Sequence, residues 1–372
     1  SLPYLEPGGA YAHDSVQGMT KRLLFSSWMA TPSAVASILS YEAERRITEQ
    51  ALTAGQEETQ GRARLTYPVR ADRPQRMSTL LIMWPHRHLA RLGDLRTAVR
   101  AAGGHPLHQE AAVASVRTAL QREYGSGSQP TDDVEHTEDA SMRASTWRVA
   151  FSDVRNWAPD TDPSAHEALS GDTARVARAL AGHKEERTDD EEFRLREVGG
   201  RELHVREAFT ALREGSQSAS DDDLDILARV ALFAPGCVSF RVVDRLVAAA
   251  ETAHVSESGV QVAAAALACG LRTLFNRAHV QRLLDASPDV GRYWNQVMQH
   301  IADGNLEAVL DEWVFHLWTD RGSPLLDDEK LLDLMQSAQF ALRLREINYQ
   351  AADVSDGMLP IRLAGAFALR YG

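Results

Sequence analysis

The residues Ala308-Val309-Leu310-Asp311-Glu312 offer the most tempting chemistry in this chain, because an apolar run ending in an acidic pair holds magnesium in nucleotide hydrolases. Their surroundings argue otherwise. Leu306, Val309, Leu310, Trp313, Val314 and Leu317 recur at helical spacing, whereas a magnesium-binding pair of that kind ends a buried strand. Neither GxxxxGKS nor GxxxxGKT occurs in the 372 residues to cradle a phosphate. Asp311 and Glu312 therefore read as solvated helix positions or local salt-bridge partners. His86 and His88, in Pro85-His86-Arg87-His88, could serve a metal, but no HExxH and no acidic partner accompanies them, so a polar loop is the better reading. Asp221-Asp222-Asp223 lacks the alternation and glycine of a calcium loop and reads as an acidic helix start. A GxSxG serine motif is missing, and Cys237 and Cys269 stand far apart with no CxxC. No catalytic or metal-ligating residue is assigned.

Lys21, Arg22, Arg45, Arg46, Arg62, Arg64, Arg70, Arg73 and Arg76 form a second set. They could face phosphate together with the hydroxyls of Ser26, Ser27 and Thr31, or simply make a solvated Arg-rich surface. Trp294, Trp313 and Trp318, with Tyr293, Phe315 and Phe340, could offer bases a stacking platform, although helical spacing favours packing in a core.

The elements that must position these groups change in character along the chain. Arg22–Ser27 is a short apolar run ending in hydroxyls, as in a buried parallel strand, and Ser33–Arg46 follows with Val35, Ile38, Leu39 and Ala43 on one helical stripe. Ser78–Trp84 reads as a second strand, closed by Pro85 and followed by a helix over Leu89–Ala101. Two strand-helix units begin an α/β sheet without completing one. Residues 124–165 are turn-rich and acidic and read as a linker or long loop. Helical patterning then dominates over Leu224–Leu246, Val262–Phe275, Val290–Ile301, Asn305–Trp318 and Leu325–Ile347, punctuated by Pro235-Gly236, Gly304 and Gly322-Ser323-Pro324. The expected fold class is mixed and mainly α, a partial α/β lobe followed by a large all-α region.

Composition sets the bounds. With 44% apolar residues the chain can build sizeable cores. Residues 1–125 hold 15 Lys+Arg against 11 Asp+Glu, and the remainder 25 against 41, within a net charge of −12. A mildly basic part joined to an acidic one argues against a whole-surface nucleic-acid binder but permits a local basic face. The nearly apolar run Val260–Leu271 falls short of the roughly 20 residues of a membrane span. With the cysteine usage, this leads to an expectation of no membrane and a cytoplasmic location.

The segment Thr20–Arg46, "TKRLLFSSWMATPSAVASILSYEAERR", resembles motif IV, the strand-helix unit that begins the second RecA-like lobe of superfamily 2 DNA helicases of the Swi/Snf-related, DEAD/DEAH type. More narrowly, it resembles large bacterial helicase-related proteins with a helical insertion in that lobe, some of them associated with phage defence. "LLIMWPHRHLARLGDLR", "LARVALFAPGCVSFRVV", "GLRTLFN", "YWNQVMQHIADGNLEAVLDEW" and "GAFALRYG" resemble the same group, the tryptophan-to-DEW stretch most specifically. The resemblance implies a partial RecA-like lobe over residues 1–123, a helical insertion over 166–350 and a return toward the lobe over 351–372. It implies nucleic-acid contacts from Arg22, Ser26, Ser27, Thr31, Arg45 and Arg46. The family's ATP-binding lobe lies upstream of this segment, and its motif V strand and arginine fingers lie downstream. ATP and magnesium would then belong to the parent enzyme and none to this chain alone, with DNA, the ATPase lobe and a protein bound by the insertion as partners. An incomplete sheet edge also leads to an expectation of self-association.

Overall fold

The computed structural model describes residues 3–12, 38, 63–71, 73–75, 77–125, 144–151, 171–180, 200–208, 219–250, 254–285 and 292–342. The helices are α1 (Ser78–Met83), α2 (Arg87–Leu92), α3 (Leu95–Ala101), α4 (Gln109–Tyr124), α5 (Ala144–Ala150), α6 (Gly171–Ala179), α7 (Asp221–Phe233), α8 (Pro235–Ala249), α9 (Glu257–Phe275), α10 (Ala278–Asp285), α11 (Tyr293–Asp303), α12 (Leu306–Asp320) and α13 (Asp328–Leu342). Residues 200–208 are also helical. Among the described residues the named strands are β1 (Val69–Arg70) and β2 (Arg73–Pro74), an antiparallel pair with Val69 opposite Pro74. The chain is mainly α.

Local chemistry explains where the long helices start. Ser220 caps α7 through a capping box with Asp223, so the acidic triplet opens a helix as its composition predicts. Ser256 caps α9 by accepting from the Gly259 amide. Between α7 and α8, Pro235 occupies the first helical turn and the chain bends by 42°. At the α11–α12 corner, Gly304 precedes Asn305 at φ +50°, a left-handed position that asparagine tolerates.

Helix α9 is the central element. Almost every residue from Gly259 to Phe275 is buried, and the helix packs most extensively on α13 and next on α8. By length and composition it could cross a membrane, longer than the Val260–Leu271 run alone suggests, yet 89% of that stretch is buried inside the protein. Small residues let the neighbours close in: a Cβ on Gly270 would stand 2.9 Å from the Gln339 Cα on α13.

The segment Ser78–Trp84, expected to be a strand, is a helix through Met83. All six residues of α1 are buried, and α8, α9 and α11 surround it. A short continuous apolar run is equally suited to a buried strand or a helix buried on every side, and among the described residues no strand lies beside it to share its backbone hydrogen bonds. Pro85 still ends the element, by holding Trp84 extended at ψ 131°. The expected helix over Leu89–Ala101 is two short helices, with Gly93 ending the first and Asp94 capping the second; Gly93 lies so close to α7 that a Cβ there would fall 2.3 Å from the Ala231 carbonyl oxygen. Within the expected linker, Ala144–Ala150 forms a helix whose Thr146, Val149 and Ala150 are buried, with Phe151 just beyond it against Trp84 and His86. Residues on both sides of the 124–165 stretch share one hydrophobic core, from Leu5 and Leu80 to Leu342.

The α9–α13 contact carries a direct expectation. Gly270→Ala must push two helix backbones apart and should destabilise the protein by about 1–3 kcal/mol, the usual range for overpacking. Urea unfolding of the variant checks this, and an unchanged midpoint would mean that the helices have room to move.

Candidate functional site

Among the described residues, a buried charge network is built on α8 and α12. Arg241 and Arg245 stand one turn apart on α8, and Glu307 and Asp311 one turn apart on α12, so matching intervals bring the two pairs into register. Arg241, 3% exposed, meets Glu307 through two bonds, Nε to Oε1 at 2.9 Å and Nη2 to Oε2 at 2.5 Å. Its remaining donors reach backbone carbonyls: Ala231 O at 2.5 Å, Leu232 O at 2.6 Å and Ala90 O at 3.3 Å. A helix running on through residue 235 would donate that residue's N–H to Ala231, and proline has none. Arg241 supplies the missing donor at the carboxyl end of α7, where a cation also complements the helix dipole.

Arg245 continues the network outward. It contacts Asp94 Oδ1 at 2.5 Å, Glu307 Oε1 at 2.6 Å and Asp311 Oδ2 at 2.6 Å, and its guanidinium lies 5.5 Å from the centre of the Tyr4 ring. Asp94 caps α3 through the Arg96 amide, so one carboxylate ends a turn and binds a buried cation. Burial works against the Asp94 charge, but Arg245 and the Thr97 hydroxyl hold its carboxyl below the usual range. Burial disfavours the Arg245 charge too, yet Glu307, Asp311 and Asp94 raise its pKa overall. The network sets two guanidinium groups against three carboxylates. The excess negative charge is felt at Asp311, whose carboxyl burial pushes upward, with Glu307 adding to the effect. Its Oδ1 has no hydrogen-bond partner among the described residues, and its Oδ2 also accepts from the Tyr4 hydroxyl at 2.6 Å.

Tyr4 belongs to an irregular strap over the α11–α12 corner. The Leu5 amide donates to Asn305 Oδ1 at 2.7 Å, and Leu5 pairs with Leu107 in a parallel bridge. Glu6 N donates to Leu107 O at 2.9 Å, and Leu107 N to Tyr4 O at 3.0 Å. Gly8 and Gly9 lie so close to the Asp303 carboxylate that a Cβ on either would approach within 3 Å.

The groups singled out in the sequence divide accordingly. Arg22, Ser26, Ser27, Thr31, Arg45 and Arg46 lie outside the described residues, as do Lys21, Arg62 and Arg76. Ile38 is helical and 66% exposed. Arg64 is engaged by the helical unit: its guanidinium forms a forked pair with Asp285 at 2.6 and 2.7 Å and lies over the Tyr293 ring. Arg70 and Arg73 pair across the small hairpin. Asp311 is not solvated, and its cation is not local, because the helix face it occupies is covered by α8 and the strap; Glu312 is only partly buried and lies 4.0 Å from His316. His86 is buried with Nε2 donating to Leu81 O at 2.9 Å, while His88 turns to Glu123 at 3.0 Å, so the two rings serve different neighbours. Among the described residues no group of three or more His, Cys, Asp or Glu side chains is placed to hold a metal. Tyr293, Trp294, Trp313 and Trp318 pack partly buried on the core, whereas Phe315 and Phe340 are exposed. They make no single platform.

Arg241, Arg245, Glu307, Asp94 and Tyr4 escaped the sequence reading. One signal was available: arginines four apart inside an apolar helix, matched by acids four apart inside another. No protein-family model, curated protein or solved structure matches the chain.

Two measurements check the electrostatics. Glu307→Ala leaves Arg241 without its carboxylate and should cost about 3–5 kcal/mol, the usual penalty for breaking a buried pair. Arg241→Met should cost at least as much, because it also strands the α7 carbonyls. The double variant should fall well short of the sum in denaturant unfolding, and strict additivity would refute the pairing. On α11, the half-buried His300 ring stacks edge-on to Phe275, and burial lowers its pKa from 6.5 to about 4, with Asp303 opposing. The unfolded chain therefore binds a proton that the folded one refuses, and stability should fall as pH drops from 6.5 to about 4. His300→Gln should flatten that decline in melting temperature relative to the parent protein.

Proposed function

We propose that this chain is a non-catalytic part of the second motor lobe of a superfamily 2 DNA helicase or translocase of the Swi/Snf-related type. Helices α6–α13 would belong to the insertion carried by that lobe, over residues 166–350. One observation carries the reading: the stretch by which the resemblance is most specific, Tyr293–Trp313, supplies Asp303, Asn305, Glu307 and Asp311. Asp303 and Asn305 accept from the Gly8 and Leu5 amides of the strap, and Glu307 and Asp311 bind the two buried arginines. On this reading the family-like pattern would fasten the insertion to the strap. The RecA-like part of the proposal rests on the motif IV resemblance of those residues alone, since Ser78–Met83 is a helix.

In such a motor, ATP closes two lobes onto each other and alters the grip on the nucleic acid in each cycle. Arg22, Arg45, Arg46, Ser26, Ser27 and Thr31 are the proposed phosphate contacts of this lobe, and the helical unit is a rigid body moving with it. ATP and magnesium would be held with the partner ATPase lobe, since neither GxxxxGKS nor GxxxxGKT occurs in these 372 residues.

A second reading is an all-α module that docks another subunit of a multiprotein system, phage defence among them. Phe315, Leu325 and Phe340, each more than 40% exposed, favour it. One experiment separates the two. Fluorescence anisotropy on a labelled DNA should show binding that weakens steeply with salt and is lost on changing Arg22, Arg45 and Arg46 to Glu, with no DNA-stimulated ATP hydrolysis. DNA-indifferent behaviour would transfer the function to protein docking, and turnover of ATP by the chain would overturn its non-catalytic role.

A further inference from the structure

The strap over the α11–α12 corner is irregular. Tyr4 to Gly8 belong to no helix, and among them only Leu5 is fully buried; Glu6 and Pro7 are exposed. Leu5 enters a slot beside Leu95, Phe233, Ile301 and Ala308 and is almost wholly buried there. Besides Leu5 and the partly buried Tyr4 ring, the attachment is polar: the Tyr4 hydroxyl to Asp311, the Leu5 amide to Asn305, the Glu6 and Leu107 amides exchanged with Leu107 and Tyr4 carbonyls, and Glu6 to His108 at 2.8 Å.

We infer that Tyr4–Gly8 is a releasable latch, which docks and undocks as one unit while the helical core stays folded, and whose docking shields the outer end of the buried charge network from water. The asymmetry of what each state leaves behind supports this. When the strap lifts, its acceptors on Asp303, Asn305, Leu107 and Asp311 meet water, so none is left buried and unpaired. The inner end of the network is different. Arg241 is held by α7, α2 and α12 with no help from the strap and stays closed in both states. A segment with one buried apolar anchor beside a deeply buried core opens locally, well before global unfolding. The strap leads into residues 13–62, whose far end is held separately by Leu65 on Asn276, so its release would free one end of the stretch that resembles motif IV. That consequence rests on the proposed function; the latch itself does not.

Amide hydrogen exchange on the full chain tests it without nucleic acid. The amides of Leu5, Glu6, Gly8 and Leu107 should exchange as a group, at least tenfold faster than those of α8 and α9 and at least tenfold slower than an unstructured peptide. Tyr4→Phe, which removes only the bond to Asp311, should speed the group several-fold with α8 and α9 unchanged, and Leu5→Ala should speed it further. Strap amides exchanging at the α8 and α9 rate would make the segment an integral part of the core. Peptide-like exchange in the parent protein would mean that it never docks. Either result overturns the latch. Loss of DNA binding with intact latch exchange would instead refute only the proposed function.

Discussion

A single missing N–H organises the interior of this protein. Pro235 cannot donate to the Ala231 carbonyl, so the α7–α8 pair bends and leaves carbonyls at the end of α7 facing the core. Only a donor-rich group can occupy such a position without leaving polar atoms unpaired, and Arg241 brings a planar fork of donors to it. A buried guanidinium then demands a carboxylate, since an unpaired charge in a low-dielectric interior is strongly disfavoured. Glu307 answers that demand, and with it α12 is fixed against the bend.

From this point the constraint spreads outward by helical repeat. Arg245, a turn beyond Arg241, finds Asp311 a turn beyond Glu307, and Asp94 from the start of α3. The result ties α3, α7, α8 and α12 through charged groups rather than apolar contact alone, and directional bonds admit fewer alternative packings than hydrophobic ones. Burial is graded along the way: Arg241 and Glu307 are nearly inaccessible, Arg245 less so, and Asp94 is partly exposed. The network therefore has a closed inner end and an outer end that the strap covers.

The helices with strong punctuation were legible before any tertiary structure. The acidic start at Asp221, Pro235-Gly236, Gly304 and the three- and four-residue apolar spacing locate α7, α8, α9, α11 and α12 to within a few residues, because helix punctuation and periodicity are local properties of the backbone. The acidic triplet at Asp221–Asp223 was readable for the same reason. The candidate site was not. Glu307 and Asp311 look like ordinary surface acids when only their own helix is considered, and nothing in α12 says that α8 will cover them.

By itself, then, the amino-acid sequence determined a mainly helical chain, the ends of its principal helices and the exclusion of familiar catalytic boxes, all carried by neighbours within a turn or two. Tertiary structure alone decided that Ser78–Met83 coils into a helix. Six apolar residues satisfy either conformation, and only the surrounding α8, α9 and α11 make burial on every side available. It also decided that Asp311 is buried and that a tyrosine 307 residues away caps it. Those facts depend on which faces meet, and pairing between distant segments leaves no local trace in either one.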